Sequence, residues 1–174
     1  IAMNKAVTEG LVFMPPAFSS DTLGQWSRGD GTPNSDTYAS YAGAAFVPAD
    51  ADFGGCLEIQ KGDATQRLRY MGQTPIPAGT YLRVTARVKA LSGALPAVRI
   101  AARPCRADGS VVPGVPTIAT PVSLDRYGKV FEISAIVGAG ARQGVDMVWG
   151  AEPVYAHVGI DITILRAVAV GDGG

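Results

Sequence analysis

Histidine occurs once in these 174 residues, at position 157, and cysteine twice, at 56 and 105. With a single imidazole, any serine or cysteine triad has to run through His157. That residue precedes the alternating apolar stretch 158–164, where a surface or hydrogen-bonded structural histidine is expected. Cys56 and Cys105 are too sparse for a disulfide framework. Neither sits in a motif that would lower a thiol pKa, so buried free thiols are expected, with one disulfide left open as the alternative. Net charge is also missing: fifteen basic and fifteen acidic residues cancel. No whole-molecule field draws the chain to nucleic acid or membrane, and any electrostatic recognition has to come from local clustering. No apolar run reaches the 18 residues of a membrane span, and no dozen-residue window carries capped helical periodicity. Nothing near Met3 has the apolar core of a secretion signal.

Turn-forming residues, by contrast, are plentiful, with 22 glycines and 12 prolines. This composition favours short strands over helices. Residues 19–56 read as a long polar loop region around Trp26, Tyr38 and Tyr41. Alternating stretches then follow at 56–60, 66–70, 80–90, 97–104, 129–137, 145–149 and 158–164. Arg106-Ala-Asp-Gly-Ser110 is a hairpin signal, since Asp-Gly tolerates the positive φ of a tight turn. About eight to ten strands at this spacing predict an all-β antiparallel sandwich, a jelly roll. Ile1-Ala2 reads as an added pair before a native Met3, residues 3–168 as one sandwich domain and 169–174 as a linker-like end.

Two strands have a charged face. In 80–90, Leu82, Val84, Ala86 and Val88 alternate with Arg83, Thr85, Arg87 and Lys89; in 97–104, Val98, Ile100 and Ala102 alternate with Arg99, Ala101 and Arg103. If the two strands adjoin, five cations share one surface. The arginine fork grips carboxylate or sulfate with two bonds, so an anionic ligand is expected at Arg83, Arg87, Arg99 and Arg103. Solubilising edge charge is the competing reading. Tyr81 is in phase with those arginines, Trp149 with core positions, and Trp26 and Tyr38 fall in the polar loop. Paired carboxylates for hydrolysis are not evident. Asp30, Asp36, Asp50, Asp52 and Asp63 fit turn chemistry, and no active site is expected within this chain.

The order of features resembles carbohydrate-binding modules of the galactose-binding-like jelly-roll type. Trp26 lies in an early loop and Gly54-Gly-Cys-Leu-Glu-Ile59 forms a strand. Pro77-Ala-Gly-Thr-Tyr-Leu-Arg-Val84 leads into another, Tyr127-Gly-Lys-Val-Phe131 follows, and His157-Val-Gly-Ile-Asp-Ile162 closes the set. More narrowly, Met3-Asn-Lys-Ala, Pro15-Pro-Ala-Phe18 and Asp52-Phe-Gly-Gly-Cys56 resemble the leading domain of alphaproteobacterial proteins. There the sandwich precedes a β-helix of the pectate-lyase superfamily, and some relatives are spikes of gene transfer agents or other phage-like particles. The resemblance implies a non-catalytic module binding polysaccharide or cell-surface glycan, with acidic polymer favoured by the arginines. Trp26, Tyr38 and Tyr81 would stack on sugar rings. It also implies a structural calcium, with Asp50, Asp52 and Asp161 as candidate ligands. Pro15-Pro-Ala-Phe-Ser-Ser20 departs from the Asn-Gly-Asp-Phe-Glu-like opening that helps hold this ion in such modules. Release in a particle or by lysis would account for the missing signal, as would a leader lost from a longer, exported chain. An anchoring or oligomerising domain of a spike, and a module whose catalytic partner lies elsewhere, are the remaining readings.

Overall fold

The computed structural model describes residues 18–28, 37–60, 66–76, 80–93, 95–139, 145–150, 152–153, 155–162 and, as backbone, 167–171. Twelve strands alternate with two short 3-10 turns, Leu23–Gln25 and Tyr38–Ser40. The strands are β1 Trp26–Ser27, β2 Ala44–Asp50, β3 Gly54–Gln60, β4 Gln66–Tyr70, β5 Thr74–Pro75 and β6 Tyr81–Ser92. They continue with β7 Ala97–Cys105, β8 Val122–Ser123, β9 Phe131–Gly138, β10 Met147–Val148, β11 Tyr155–Ile162 and β12 Ala167–Gly171. Eight of them have five or more residues and four are two-residue pairings at sheet margins.

They form two sheets. The first runs β1-β4-β11-β7-β8, with β5 pairing the start of β11, and the second runs β10-β9-β6-β12-β3-β2. Every strand pair is antiparallel except β9 with β10. The chain is therefore an all-β sandwich, as its alternating stretches require: each strand has one apolar face, and two such faces close on each other. The second sheet contributes Leu57, Ile59, Val88, Ala90, Ile133, Ala135 and Val137 to the core. Leu68, Val98, Ile100, Ala102, Val158, Ile160 and Ile162 meet them from the first. Each fully buried aliphatic side chain of this set contributes about 1.5–3 kcal/mol.

Three expectations change. The stretch taken as linker from 169 is in part a strand: β12 lies between β3 and β6 and pairs with both. The sandwich thus extends at least to Gly171. Second, β2 occupies part of the region read as loop. Pro48 lies within it, which is compatible with a strand because β2 is the sheet edge and Pro48 falls where the pairing register shifts between Val47 and Asp50. Third, β6 and β7 do not adjoin. β6 ends at Ser92, followed by Gly93 with φ +79°, and β7 belongs to the other sheet. Their outward faces consequently point away from each other. The Asp-Gly turn forms as expected, with Gly109 at φ +88° and Arg106 N donating to the Ser110 carbonyl at 2.8 Å.

Candidate functional site

The single five-cation surface does not exist, and its members divide between the two outer faces. On the second sheet, Arg83 is exposed. Arg87 lies opposite Glu132 of β9, with its guanidinium 5.4 Å from the Phe53 ring centroid. Lys89 is buried, its Nζ 2.8 Å from both Asp50 carboxylate oxygens and 2.9 Å from Asp52 Oδ2. Burial pulls the Lys89 pKa down, but the bonds from Asp50 and Asp52 outweigh it and raise the net value. The Lys89 hydrogen bond in turn holds the Asp50 carboxyl below its ordinary range.

This arrangement corrects the calcium set. Asp50 and Asp52 do converge, but on an ammonium group, while Asp161 belongs to the opposite sheet. Among the described residues no three acidic, histidine or cysteine side chains are grouped to hold a metal. Asp30, Asp36 and Asp63 lie outside the described residues.

The first sheet keeps Arg99 and Arg103 and adds two arginines that the sequence reading passed over. Residues directly opposite on adjacent strands project to the same face. Along β11 the outward positions are Tyr155, His157, Gly159 and Asp161. Asp161 faces Arg67 of β4 on one side and Arg99 of β7 on the other; Gly159 faces Arg69 and Ala101, and His157 faces Arg103. Four arginines on the two strands flanking β11 thus line one face, with Arg67, Arg69 and Arg99 beside Asp161 and Arg103 further along, level with His157. The signal for Arg67 and Arg69 was present in Gln66-Arg-Leu-Arg-Tyr70, whose inward phase places both on the outward one.

Asp161, 1% exposed, accepts from Arg69 Nη2 at 3.4 Å and from Arg99 Nε at 3.3 Å, and its Oδ2 also forms an ion pair with Arg99 Nη2 at 3.3 Å. Gly159 clears the diagonal that Arg69 crosses to reach it. A Cβ at that glycine would collide with the Leu68 backbone, so β4 and β11 approach too closely for any side chain there. Burial draws the Arg69 pKa down; Asp161 opposes the shift, and the charges of Arg67 and Arg103 add to it. His157 Nδ1 donates to the Gly72 carbonyl at 3.0 Å. Burial depresses its pKa, and the nearby Arg103 and Arg69 charges lower it further, against the backbone bonds. The imidazole is therefore a neutral, oriented neighbour of the arginines.

Two donors on this face are buried without a hydrogen-bond partner among the described residues: Arg69 Nε and Arg103 Nε. A buried unmatched donor of this kind costs about 1–3 kcal/mol, more when charged. Arg67 and Arg103 also have no ion-pair partner among the described residues, unlike Arg69 and Arg99. The face therefore offers positively charged groups, of which Arg67 and Arg103 have no ion-pair partner among the described residues, and that is chemistry for binding an oxyanion. Among the described residues it has no paired acid and base.

The stacking candidates fare differently. Trp26 is 7% exposed, with Phe18 and Tyr70 rings at centroid distances of 4.7 and 5.5 Å. Tyr38 is 1% exposed; its hydroxyl donates to the Arg67 carbonyl at 2.5 Å and accepts from Gln66 Nε2 at 3.0 Å. Both belong to the core rather than to a ligand surface, Trp26 in the edge strand β1 and Tyr38 in a 3-10 turn. Tyr81 is half-buried on the second sheet opposite Gly138, away from the arginine cluster. Trp149 is in the core as expected, its Nε1 donating to the Pro116 carbonyl at 2.6 Å. Both cysteines are buried free thiols, and burial lifts Cys56 to about 11.

No family model matches this chain, and no curated protein matches it by sequence. Solved structures do. The CBM22-1 and GH10 modules of the Clostridium thermocellum N-terminal endo-1,4-beta-D-xylanase, solved with xylohexaose, match over 86% of this chain and 25% of theirs, at 10% identity and TM-score 0.54. The CBM22-1 xylan-binding domain from Paenibacillus barcinonensis matches over 83% of this chain and 80% of its own, at 8% identity and TM-score 0.52. A structure of carbohydrate-binding modules from the β-sandwich superfamily matches over 95% and 63%, at 17% identity and TM-score 0.51. This chain spans a quarter of the xylanase fragment and under two thirds of the third structure. At these identities the shared property is the fold: the sandwich is of the kind found in carbohydrate-binding modules.

Proposed function

We propose that this chain is a non-catalytic carbohydrate-binding module that holds acidic polysaccharide on the outer face of β4, β11 and β7. One observation carries the reading: Arg67, Arg69, Arg99 and Arg103 line one outer face on both sides of β11, and Arg67 and Arg103 have no ion-pair partner among the described residues. Carboxylate or sulfate oxygens of a sugar engage the half-buried Arg67 and Arg103 guanidinium groups, and a charge-assisted, forked contact is the strong form of that bond. The sandwich fold supports a sugar ligand over other anions, and the balanced whole-molecule charge disfavours nucleic acid. On this reading the module brings a larger polysaccharide-active protein or β-helical spike to its polymer. The Asp52–Cys56 likeness supports the spike; the other residues of that narrower resemblance, apart from Phe18, lie outside the described ones.

Calorimetric titration with polygalacturonate and with neutral xylan tests it. Binding to the acidic polymer should weaken steeply as salt rises. Arg103→Ala should lower affinity about tenfold, equivalent to about 1.4 kcal/mol. Arg83→Ala, on the opposite face, should leave it unchanged. Equal affinity of the Arg103→Ala variant, or no binding to any acidic polymer, overturns the proposal.

A further inference from the structure

The four arginines are not equivalent. Arg69 and Arg99 are both committed to Asp161, whereas Arg67 and Arg103 are half-buried and have no ion-pair partner among the described residues. These two occupy opposite flanks of β11. Arg67 is level with Asp161 on the β4 side, and Arg103 is level with His157 on the β7 side. Two strand spacings put their backbones about 9.5 Å apart across the sheet, and the four-residue offset adds about 13 Å along it. Between them, level with Gly159, the central strand has no side chain, the β7 side has only the methyl of Ala101, and the β4 side has Arg69, which reaches across to Asp161. One carboxylate or sulfate group is too small to be gripped by both arginines in their half-buried positions.

We infer, on the basis of the polysaccharide-binding reading above, that the ligand presents two anionic groups on sugar units separated by at least one uncharged unit. The polymer lies diagonally across β11, one anion at Arg67 and the next at Arg103. The neutral unit between them passes over Gly159. Charge on that middle unit gains little, because the arginines nearest to it already hold Asp161. The site therefore needs a minimum length, and it gives an alternating acidic polymer no penalty for its neutral units.

The experiment uses the whole chain and two probes: a hyaluronan hexasaccharide, in which charged and neutral units alternate, and digalacturonate, in which two charges adjoin. The hexasaccharide should bind at least tenfold tighter. Arg67→Ala and Arg103→Ala should each weaken it about tenfold, and the double variant about a hundredfold, since sites this far apart act independently. Arg67→Lys should restore part of the loss, and thermal unfolding of each variant identifies any misfolded protein. If Arg67→Ala leaves affinity intact while Arg103→Ala lowers it, or the double variant is no weaker than a single one, there is one anion subsite and the inference fails with the proposed function standing. Equal binding of both probes also defeats it. Absence of binding to any acidic probe would instead remove the proposed function itself.

Discussion

At the scale of single residues, the Lys89 cluster shows what alternation along a strand can and cannot reveal. Its spacing with Arg83 and Arg87 places Lys89 on the outward face, where it is. Its partners Asp50 and Asp52 come from 39 and 37 residues upstream, and no local pattern encodes that meeting. Lys89→Met would leave Asp50, largely buried, without its cation. The expected loss is about 2 kcal/mol in denaturant unfolding at neutral pH, below the usual range for a severed buried pair because Asp52 is well exposed and rehydrates. The pH dependence has a definite sign. The folded Asp50 pKa is depressed, so its stabilisation is present above the ordinary aspartate value of 3.8 and disappears as pH falls through the folded value. The gap between wild type and Lys89→Met should therefore narrow in acid. A constant gap across that range would show that Lys89 acts through its ammonium over the Phe53 ring, 5.2 Å from the centroid, rather than through Asp50.

At the scale of elements, most strands were legible because each alternates cleanly between core and solvent. Two were not. Ala44–Asp50 is interrupted by Pro48, which sequence reasoning discounts as a strand and which an edge position accommodates. Ala167–Gly171 has small residues beside a glycine-rich end, and only its pairing on both sides identifies it. The candidate site was half legible for a related reason. Period two gave the outward phase of Arg99 and Arg103, and would have given Arg67 and Arg69. It could not reveal that β11 lies between them, nor that β6 belongs to the other sheet, since alternation fixes a face but not a neighbour. The place of β12 yields a prediction. Truncation after residue 166 removes an interior strand and leaves β3 and β6 with unpaired backbone groups, so the shortened chain should lose cooperative unfolding, followed by circular dichroism. A sharp transition near that of the full chain would contradict the interior placement.

At the scale of the whole molecule, the two thiols report on integrity. Cys56 belongs to the small cluster with Phe53 on the second sheet, and Cys105 ends β7 of the first. Burial raises both thiol pKa values, so neither offers much thiolate at neutral pH. Ellman's reagent should find no fast-reacting thiol in the native protein and two after unfolding. If the sandwich opens as one unit, both should appear with the same denaturant midpoint. Staggered appearance would mean that the two sheets come apart in steps.

The crossing from Ser92 to Ala97 gives the molecule a front and a back. The arginine cluster occupies the front, while Thr85 stands exposed near the middle of the back, opposite Ser134. A cysteine introduced at Thr85 would be the reactive thiol of a protein whose own two are shielded. Through it the module could be tethered to a bead or carry a dye, with the polymer-facing side left unobstructed.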